Sequence, residues 1–589
     1  MELVSVLVFL PVVAALLMLV SRAEQLQYLV VTVTVLILSL LCVYLLFIPL
    51  QPVTFSFSHT LETFLIIADV ALLLFFVQQG FRFKANMVVG LALLQLLLYG
   101  LAEASLGDYS GAAMIVDRLS ILMFLIINIV GGIIVFYALR YMADEAMNAF
   151  RKRLFTAYLL LFLSVMNMIV MANSLLLFFF LFEMTTLASY LLIGFRKDEL
   201  SQNNALKALW MNQVGGVVIL LGTIIAITQF DTVYFDTLLA SSGGYLLLGL
   251  ALLSMAALVK GASLPFDSWL LGAMVAPTPV SAILHSATMV KIAPYLILKL
   301  APALGGTLLG GVLALGGALG FVAASYLALS RSVFKEILGY STIALLGLMM
   351  SLAAIGTEES MMLAMALIFF HAFSKALLFL SAGVLEKSFH LKNIEVMKGL
   401  AHIAPRSVGY IMFGFISLTL PPFGLFMGKL FAIESVAALM NERPWLVVVL
   451  LAIIVGSALL VLLYFKVASA LLSKPSDIVP SEKEQIPFGF ALPLMLLTLV
   501  GIVTTVGFIL IQNDAYLTLF AVPLLFVALL PWIARTMERF DRVKVYHCGE
   551  KEGFDAALFY FEPSPKTAQV IYWGFTLIFG AVALAGVLS

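Results

Sequence analysis

Long apolar runs recur along almost the whole chain and are separated by short polar connections. A helix of about 20 apolar residues spans the hydrocarbon core of a bilayer, and about 17–25 are tolerated. The pattern therefore predicts an all-α polytopic membrane protein with about 18 transmembrane helices. The predicted spans are 3–20, 28–50, 62–80, 85–104, 115–138, 154–171, 174–195, 207–229, 245–270, 274–299, 306–329, 335–355, 361–386, 408–438, 445–466, 488–511, 515–535 and 568–588.

The basic residues of the connections test this number of spans independently. Connections after odd-numbered spans carry most of the arginine and lysine, for example at 140–153 and 535–551, and connections after even-numbered spans carry almost none. Since cytoplasmic loops are enriched in these residues, the first group is predicted to be cytoplasmic and both termini to lie outside. The longest connection, 536–567, is then a cytoplasmic loop, which either lies against the membrane or a neighbouring protein or is simply solvated.

Composition narrows the class of protein. The chain is 63% hydrophobic and 11% charged, whereas a soluble domain carries about 25% charged residues. The net charge is zero, so the protein has no overall positive charge that would favour a nucleic-acid partner. Cys42 and Cys548 are too few for an iron–sulfur cluster or a structural zinc site, and no nucleotide-binding loop is present in the sequence. We therefore expect a cell-membrane protein with the lipid bilayer around it and no catalytic, cofactor or metal site of its own.

Several ionisable residues lie inside predicted spans. A charge at the bilayer centre costs about 2.5–3.5 kcal/mol on insertion scales, so contacts within the bundle or water must compensate each one. Asp69 is one of these residues, and the sequence assigns it no partner. The others are Glu183, Lys260, His285, Lys291, His371, Lys375 and Lys429.

These buried groups are candidates for proton or ion translocation. Removal from water favours the neutral form of a lysine, so buried lysines can exchange protons near neutral pH. Several of these groups also have an alternative interpretation: a lysine can extend to the membrane surface, Glu183 can form an ion pair that only orders the bundle, and His285 can be a hydrogen-bonded core histidine. His371 and Lys375 are four residues apart and share one helix face, whereas His285 and Lys291 point to different faces.

Two of the lysines lie beside helix-breaking residues, Lys260 in ALVKGASLPFDSW and Lys429 in TLPPFGLFMGKLF. Irregular backbone at membrane depth is tolerated only against protein or water, and such broken helices form ion sites in transporters built from inverted repeats. Each lysine falls in the fourth span of a set of five. The pattern predicts two inverted five-helix repeats, 154–300 and 306–466, each with a broken helix.

The segment KGASLPFDSWLLGAMVAPTPVSAILHSATMVKIAPYLILKL at 260–300 resembles the antiporter-like subunits of respiratory complex I, Mrp-type Na⁺/H⁺ antiporters and group 4 energy-converting membrane-bound [NiFe]-hydrogenases. The resemblance covers about 115–470, which is predicted to be the antiporter-like core. It leaves N-terminal helices at 1–114, including an extra hairpin at 62–104, and C-terminal helices at 471–589. Further matching motifs are VDRLS at 116–120, FEMTTLASYLLIGF at 182–195, HAFSKALLFLSAG at 371–383 and LPPFGLFMGK at 420–429.

The resemblance implies a polar axis that joins two half-channels across the bundle. Its members would be Glu183 as the helix-five glutamate, Lys260 as the broken-helix lysine, His285 as the helix-eight histidine, His371 and Lys375 as the central relay, and Lys429 as the terminal lysine. It also implies that Glu183 pairs with Lys260 and so controls the lysine's proton.

Details of the sequence favour the hydrogenase type within this resemblance. They are Lys291 in HSATMVK, the phrase WLLGAMVAPTPVSAILHS, the short distance between the last two spans, and HCGE at 547–550. We therefore expect an ion-translocating, non-catalytic subunit of a membrane-bound redox complex, with other membrane subunits and a peripheral redox arm as partners. Those partners would carry the Fe–S clusters and the Ni–Fe centre. The alternatives are a complex I subunit, an Mrp-type antiporter subunit without a redox partner, and a passive scaffold.

Overall fold

The computed structural model describes residues 2–48, 53–56, 59–107, 111–473, 484–511 and 563–588. Almost all of the secondary structure in these residues is helical. The helices are α1 (Glu2–Val20), α2 (Glu24–Phe47), α3 (His59–Arg82), α4 (Asn86–Ala104), α5 (Arg118–Leu125), α6 (Gly131–Ala143), α7 (Ala149–Ile169), α8 (Leu175–Ile193), α9 (Glu199–Phe230), α10 (Phe235–Ala240), α11 (Leu246–Lys260), α12 (Asp267–Gly272), α13 (Thr278–Ala282), α14 (Ile292–Leu304), α15 (Leu308–Leu329), α16 (Phe334–Ile355), α17 (Glu358–Phe389), α18 (Pro405–Thr419), α19 (Gly424–Leu439), α20 (Leu446–Leu472), α21 (Phe488–Ile511) and α22 (Pro565–Leu588).

The described residues also contain two short strands and several short π-helical and 3-10 turns. The strands β1 (Val53–Phe55) and β2 (Met114–Val116) form a small antiparallel pair. The π-helical turns are Ile126–Val130, between α5 and α6, and Ile283–Ala287, after α13; the 3-10 turns are Gly194–Arg196, Ala273–Val275, Met289–Lys291, Ile394–Met397 and Leu400–His402.

Sixteen helical segments of the described chain are long and apolar enough to cross a membrane. They coincide with predicted spans, which confirms the all-α polytopic membrane fold. The predicted span 245–270 differs, because α11 ends at Lys260 after 15 residues and an irregular loop follows it. The predicted span 515–535, Cys548, the HCGE sequence and almost all of the 536–567 loop lie outside the described residues.

The order of helices from α7 to α20 has the form that two five-segment repeats require. The first set is α7, α8, α9, the broken pair α11 and α12, and the segment that ends with α14. The second set is α15, α16, α17, the broken pair α18 and α19, and α20. The third helix of each set, α9 or α17, has 32 residues. Since five crossings are an odd number, the second set begins at the opposite side of the bundle from the first.

The helices at the centre of the bundle carry most of the ionisable residues. The most apolar stretches of Thr278–Leu304 and Phe334–Ile355 are completely buried within the protein. Helices α1 to α4, α21 and α22 lie instead at the periphery. In each of them, about two thirds or more of the residues in the most apolar stretch are not buried. Large apolar side chains such as Leu40 and Leu97 are exposed there, as expected of a surface that faces lipid.

Helices α3 and α4 form a hairpin at the segment 62–104, which the resemblance predicts to be an extra hairpin, and it lies against the first repeat. Helix α4 packs against α9, and α3 packs against α8. The approach of α4 to α9 depends on Gly216, because a Cβ atom there would lie 2.0 Å from Glu183 Oε1 and 2.3 Å from Gln95 Nε2. The hairpin therefore reaches the side chain of Glu183.

An ionic cluster ties the connection between α6 and α7 to other parts of the same end of the bundle. Glu145 accepts hydrogen bonds from Lys387 Nζ at 2.9 Å and from Arg196 Nη2 at 3.1 Å. Burial raises the pKa of the Glu145 carboxyl, but the hydrogen bonds and charges of these two partners outweigh burial and hold that pKa below its usual value. The cluster belongs to the side of the protein that charge alternation predicts to be cytoplasmic.

Candidate ion-translocation site

Glu183 lies in the middle of α8 and is completely buried. The helix begins at Leu175, and the side chain of the preceding Ser174 caps it by accepting a hydrogen bond from the Leu177 N–H. Gln95 Nε2, on α4, donates to Glu183 Oε1 at 2.9 Å and to the Gln213 carbonyl at 3.0 Å. Glu183 Oε2 has no hydrogen-bond partner among the described residues. One carboxyl oxygen is thus fixed by the extra hairpin, and the other is left to take a proton or a water molecule.

Lys260 is the last residue of α11 and is also completely buried. Its Nζ donates to Thr186 Oγ1 at 2.9 Å and to the Phe182 carbonyl at 3.2 Å, and it lies 3.8 Å from the centre of the Phe182 ring. All three contacts come from α8, and none of them is charged. The ammonium group is therefore held by a hydroxyl, a carbonyl and an aromatic face.

The expected direct ion pair between Glu183 and Lys260 is not formed in this structure. The two groups interact electrostatically, but their charged atoms are more than 4.0 Å apart. The hydrogen bonds of the ammonium go instead to Thr186, three residues after Glu183 on the same helix, and to the backbone. The pair is therefore a separated one, coupled through space.

The backbone break after Lys260 is fixed by side chains that sequence reasoning did not single out. Trp269 Nε1 donates to the Val259 carbonyl at 3.1 Å across the break. Asp267 Oδ2 accepts from the Tyr572 hydroxyl at 2.7 Å and from the Tyr340 hydroxyl at 3.3 Å. A Cβ atom on Gly261 would lie 2.7 Å from Ala293, so the loop can pack closely against α14. These contacts hold Lys260 at a defined depth in the bundle.

Lys291 and His371 are in direct contact at the centre of the bundle. Lys291 Nζ lies 2.6 Å from His371 Nδ1, and it also donates to the Ile368 carbonyl at 3.2 Å. His371 Nδ1 can accept a hydrogen bond from Lys291 Nζ only when that ring nitrogen carries no proton itself. A single hydrogen bond therefore joins the turn before α14 to α17 at this point, and which nitrogen donates depends on the tautomer of His371.

The other two predicted central residues have separate surroundings. Lys375 Nζ donates to Ser341 Oγ and to the Leu338 carbonyl of α16. Neither ring nitrogen of His285 has a hydrogen-bond partner among the described residues, and its ring lies 5.0 Å from that of Phe379. Both residues are completely buried. His371 and Lys375 share a helix, as expected, but they contact different neighbours.

Lys429 lies at the far end of the series, on α19 just after the second break. Its Nζ donates to the Leu418 carbonyl at 3.1 Å, across that break, and the residue is 2% exposed. Lys429 thus contacts the backbone of its own break, whereas the hydrogen bonds of the Lys260 ammonium go to α8.

The helices that carry the predicted residues touch one another in sequence. Lys260 of α11 contacts α8 directly, α11 packs on α14, α14 on α17, and α17 on α19. The side chains themselves touch only at Lys291 and His371. The sequence does not identify the neutral partners Gln95, Thr186 and Ser341. The only sign of them in the sequence is a polar residue in the middle of an apolar helix.

Two family models match the chain. One, described as NADH:quinone oxidoreductase/Mrp antiporter, TM, matches residues 172–469. The other, described as NADH-ubiquinone oxidoreductase (complex I), chain 5 N-terminus, matches residues 110–151. The two matches run from 110 to 469 and confirm the resemblance predicted for about 115–470.

The curated relatives include NADH-quinone oxidoreductase and cation/proton antiporter subunits. An NADH-quinone oxidoreductase subunit of Pseudomonas aeruginosa is 36% identical over 330 residues, which are 54% of this chain and 52% of the relative. A Na⁺/H⁺ antiporter subunit of Alkalihalophilus pseudofirmus is 32% identical over 338 residues, or 53% of this chain and 41% of the relative. A probable K⁺/H⁺ antiporter subunit of Rhizobium meliloti is 34% identical over 287 residues, or 48% and 28%. The chain thus spans about half, or less, of the length of these relatives.

Solved structures share the fold over a larger part of the chain. A chain of the membrane-bound sulfane sulfur reductase, an archaeal respiratory membrane complex, superposes with a TM-score of 0.65 at 18% identity and covers 86% of this chain and 94% of its own. A chain of the Mrp complex from Dietzia sp. gives a TM-score of 0.59 at 19% identity, covering 76% and 95%.

Proposed function

This chain belongs to the NADH:quinone oxidoreductase/Mrp antiporter transmembrane family, and we propose that it is an ion-translocating subunit of an energy-converting hydrogenase in the cell membrane. The observation that carries the proposal is the series of buried ionisable groups, from Glu183 to Lys429, on contacting helices and the turns next to them. An isolated buried charge would be expensive at any one of these positions. A structural role alone offers no reason to repeat that expense along the bundle.

The contacts suggest how protons move along this series. Lys260 is held by uncharged acceptors, so the charge on Glu183 is the nearest control over its proton. Lys291 and His371 share one hydrogen bond, and movement of its proton between them transfers charge from the turn before α14 to α17. Lys375 and Lys429 continue the series towards the second break. Water completes the segments in which side chains do not touch, as it does in other polar tracks inside membranes.

The driving reaction belongs to partner subunits in this proposal. The chain has two cysteines, too few for an iron–sulfur cluster, so we assign the Fe–S clusters and the Ni–Fe centre to a peripheral redox arm. The hydrogenase type is favoured because Lys291, on which that resemblance depends, contacts the central histidine and so belongs to the track.

A second candidate is an Mrp-type cation/proton antiporter subunit that works without a redox partner, and a complex I subunit is a third. The relatives support these candidates, because one relative from NADH-quinone oxidoreductase and two from cation/proton antiporters match the chain at comparable identity. All three candidates use the same buried residues. They differ in the proteins that surround the chain.

Purification of the tagged chain from its native membranes in a mild detergent tests the proposal. We expect hydrogenase subunits to co-purify and the complex to take up protons or sodium in proteoliposomes when it turns over. Co-purification of antiporter proteins alone would select the second candidate, and co-purification of NADH dehydrogenase proteins the third. Ion uptake that is unchanged in Lys260→Ala would contradict translocation by this chain in all three cases.

A further inference from the structure

A cavity of about 210 Å³ lies between the extra hairpin and the start of α8. This volume has room for several water molecules. Its polar lining is acidic or hydroxylic, and no lysine or arginine lines it within the described residues. The polar side chains of the lining are Glu62, Asp69, Tyr99, Glu103, Ser174 and Tyr234.

The lining forms a path that leads inward from the end of the hairpin. Glu62 is in the first turn of α3 and is exposed, and Glu103 is in the last turn of α4 and is partly exposed. Glu103, Tyr99 and Gln95 follow one another at intervals of four residues and so share one face of α4. This face extends for about 12 Å along the helix. It ends at Gln95, which donates its hydrogen bond to Glu183.

Asp69 is the inner carboxyl of this cavity. It is 2% exposed, and its Oδ1 has no hydrogen-bond partner among the described residues. The Tyr99 hydroxyl interacts with the carboxyls of both Asp69 and Glu103. Asp69 also interacts electrostatically with Glu183. A carboxyl with a free oxygen in a space of this size needs water or a proton as its partner.

The arrangement fits a proton better than a bound metal ion. A cation site brings several oxygen ligands to one point, and no group of three acidic, histidine or cysteine side chains converges in this way within the described residues. The carboxyls of the cavity lie in series, from exposed to buried. Carboxyl, phenol and water can each accept one proton and release another.

We propose that the extra hairpin forms a proton-access route to Glu183, in which Asp69 is the carboxyl that receives the proton from the water of the cavity. Each step breaks one O–H bond and forms another, from hydronium to Asp69 and from Asp69 through water to Glu183 Oε2, the oxygen without a partner. The other ionisable groups that face Asp69 are Glu62, Tyr99, Glu103 and Tyr234. The inference rests on the proposed function, because it supplies protons to the series that begins at Glu183.

Asp69→Asn in the complete complex tests the route. Asparagine keeps the shape but cannot carry the proton, so we expect proton uptake in proteoliposomes to fall about a hundredfold, the lower end of the contribution of a positioned proton-transfer group. The loss should be largest at high pH, where protons are scarce. Tyr99→Phe, which removes one hydroxyl without changing the packing, should move the pH profile in the same direction, and it serves if Asp69→Asn does not assemble. Asp198→Asn, at an exposed helix start, is the control.

A comparison with Lys260→Ala separates this inference from the proposed function. If Lys260→Ala stops ion uptake while Asp69→Asn and Tyr99→Phe retain the wild-type rate and pH profile, the route is wrong and the function stands. If ion uptake survives Lys260→Ala, the function itself fails.

A second measurement tests whether water reaches the cavity. A cysteine at Ala113, which lines the cavity, is introduced into a background without Cys42 and Cys548. We expect a small membrane-impermeant thiol reagent to label it from one side of the membrane, and to leave a cysteine at the buried Ser325 unlabelled. Absence of labelling from both sides would overturn the proposal that water enters here.

Discussion

Replacing Glu183 by glutamine removes one charge and leaves its main contact in place. The glutamine carbonyl can still accept the hydrogen bond from Gln95, so the hairpin should remain docked. What changes is the electrostatic control of Lys260. Two opposite charges at 4 Å attract each other by about 4 kcal/mol at an effective dielectric constant of about 20. Since the two charged groups are more than 4.0 Å apart, this figure is an upper bound.

The bound sets the size of the expected effect. About 4 kcal/mol corresponds to about three powers of ten in the proton occupancy of the lysine at fixed pH. We therefore expect Glu183→Gln to lower ion uptake per electron pair, or to slow electron transfer, by between about tenfold and a thousandfold. Lys260→Ala should give the same phenotype. The double variant should be little worse than either single one, because the two residues act as a unit.

Thr186→Val separates the effect of charge from that of hydrogen bonding. It removes the hydroxyl that accepts from Lys260 Nζ and keeps the volume of the side chain. A hydrogen bond to a charged group contributes about 1.5–3 kcal/mol, so the loss should be intermediate. Asp198→Asn is the matched control. Asp198 is the exposed N-terminal cap of α9, and asparagine also caps helices well.

The assay is ion uptake per electron pair in proteoliposomes that contain the full complex, with subunit content measured on the same samples. Coupling at the wild-type ratio in Glu183→Gln or Lys260→Ala, with all subunits present, would refute this reasoning. The buried charges would then be structural, and the chain would be a scaffold for its partners.

The remaining predictions concern orientation, redox content and acid stability. Single cysteines in the 387–406 loop and in the 536–567 connection should resist impermeant thiol reagents in intact cells; labelling at both would reverse the orientation. The purified chain alone should show no hydrogenase or dehydrogenase activity, and stoichiometric iron or nickel in it would contradict this. Glu145→Gln should lower the free energy of unfolding at pH 7 by about 1–3 kcal/mol. Because the folded-state pKa of Glu145 is lowered, this difference should disappear as the pH falls through that value, and a constant difference would disprove the pairing.

The sequence alone predicts the membrane spans and the buried ionisable residues well, for a physical reason. A run of about 20 apolar residues has few alternatives to a membrane helix, and a charge within it stands out because burial is expensive. Glycine and proline beside Lys260 and Lys429 indicate both breaks for the same reason. The exact end of α11 is harder to predict, since the residues after Lys260 are still mostly apolar.

The sequence predicts the contacts of these residues less well. Gln95 and Glu183 are 88 positions apart, and nothing in the apolar pattern of α4 indicates which helix it faces. Neutral polar residues such as Thr186 and Ser341 are common in membrane helices, so their presence alone does not mark a site. Direct pairing of Glu183 with Lys260 is the natural expectation because opposite charges attract. The structure satisfies the lysine with uncharged groups instead.

The contact between Gln95 and Glu183 changes how the extra hairpin should be understood. A hairpin added outside the bundle could be a lipid-facing addition, and most of its surface is indeed exposed and apolar. Yet the buried amide of Gln95 donates to Glu183, the carboxylate that we propose controls Lys260, and Gly216 makes the space for that contact. A side chain at Gly216 would push Gln95 and Glu183 apart before it disturbed the outer face of α4. The hairpin is therefore bound to the site by the same contact that leaves Glu183 Oε2 open, and its removal would take away the hydrogen bond from Gln95 to a completely buried carboxyl group.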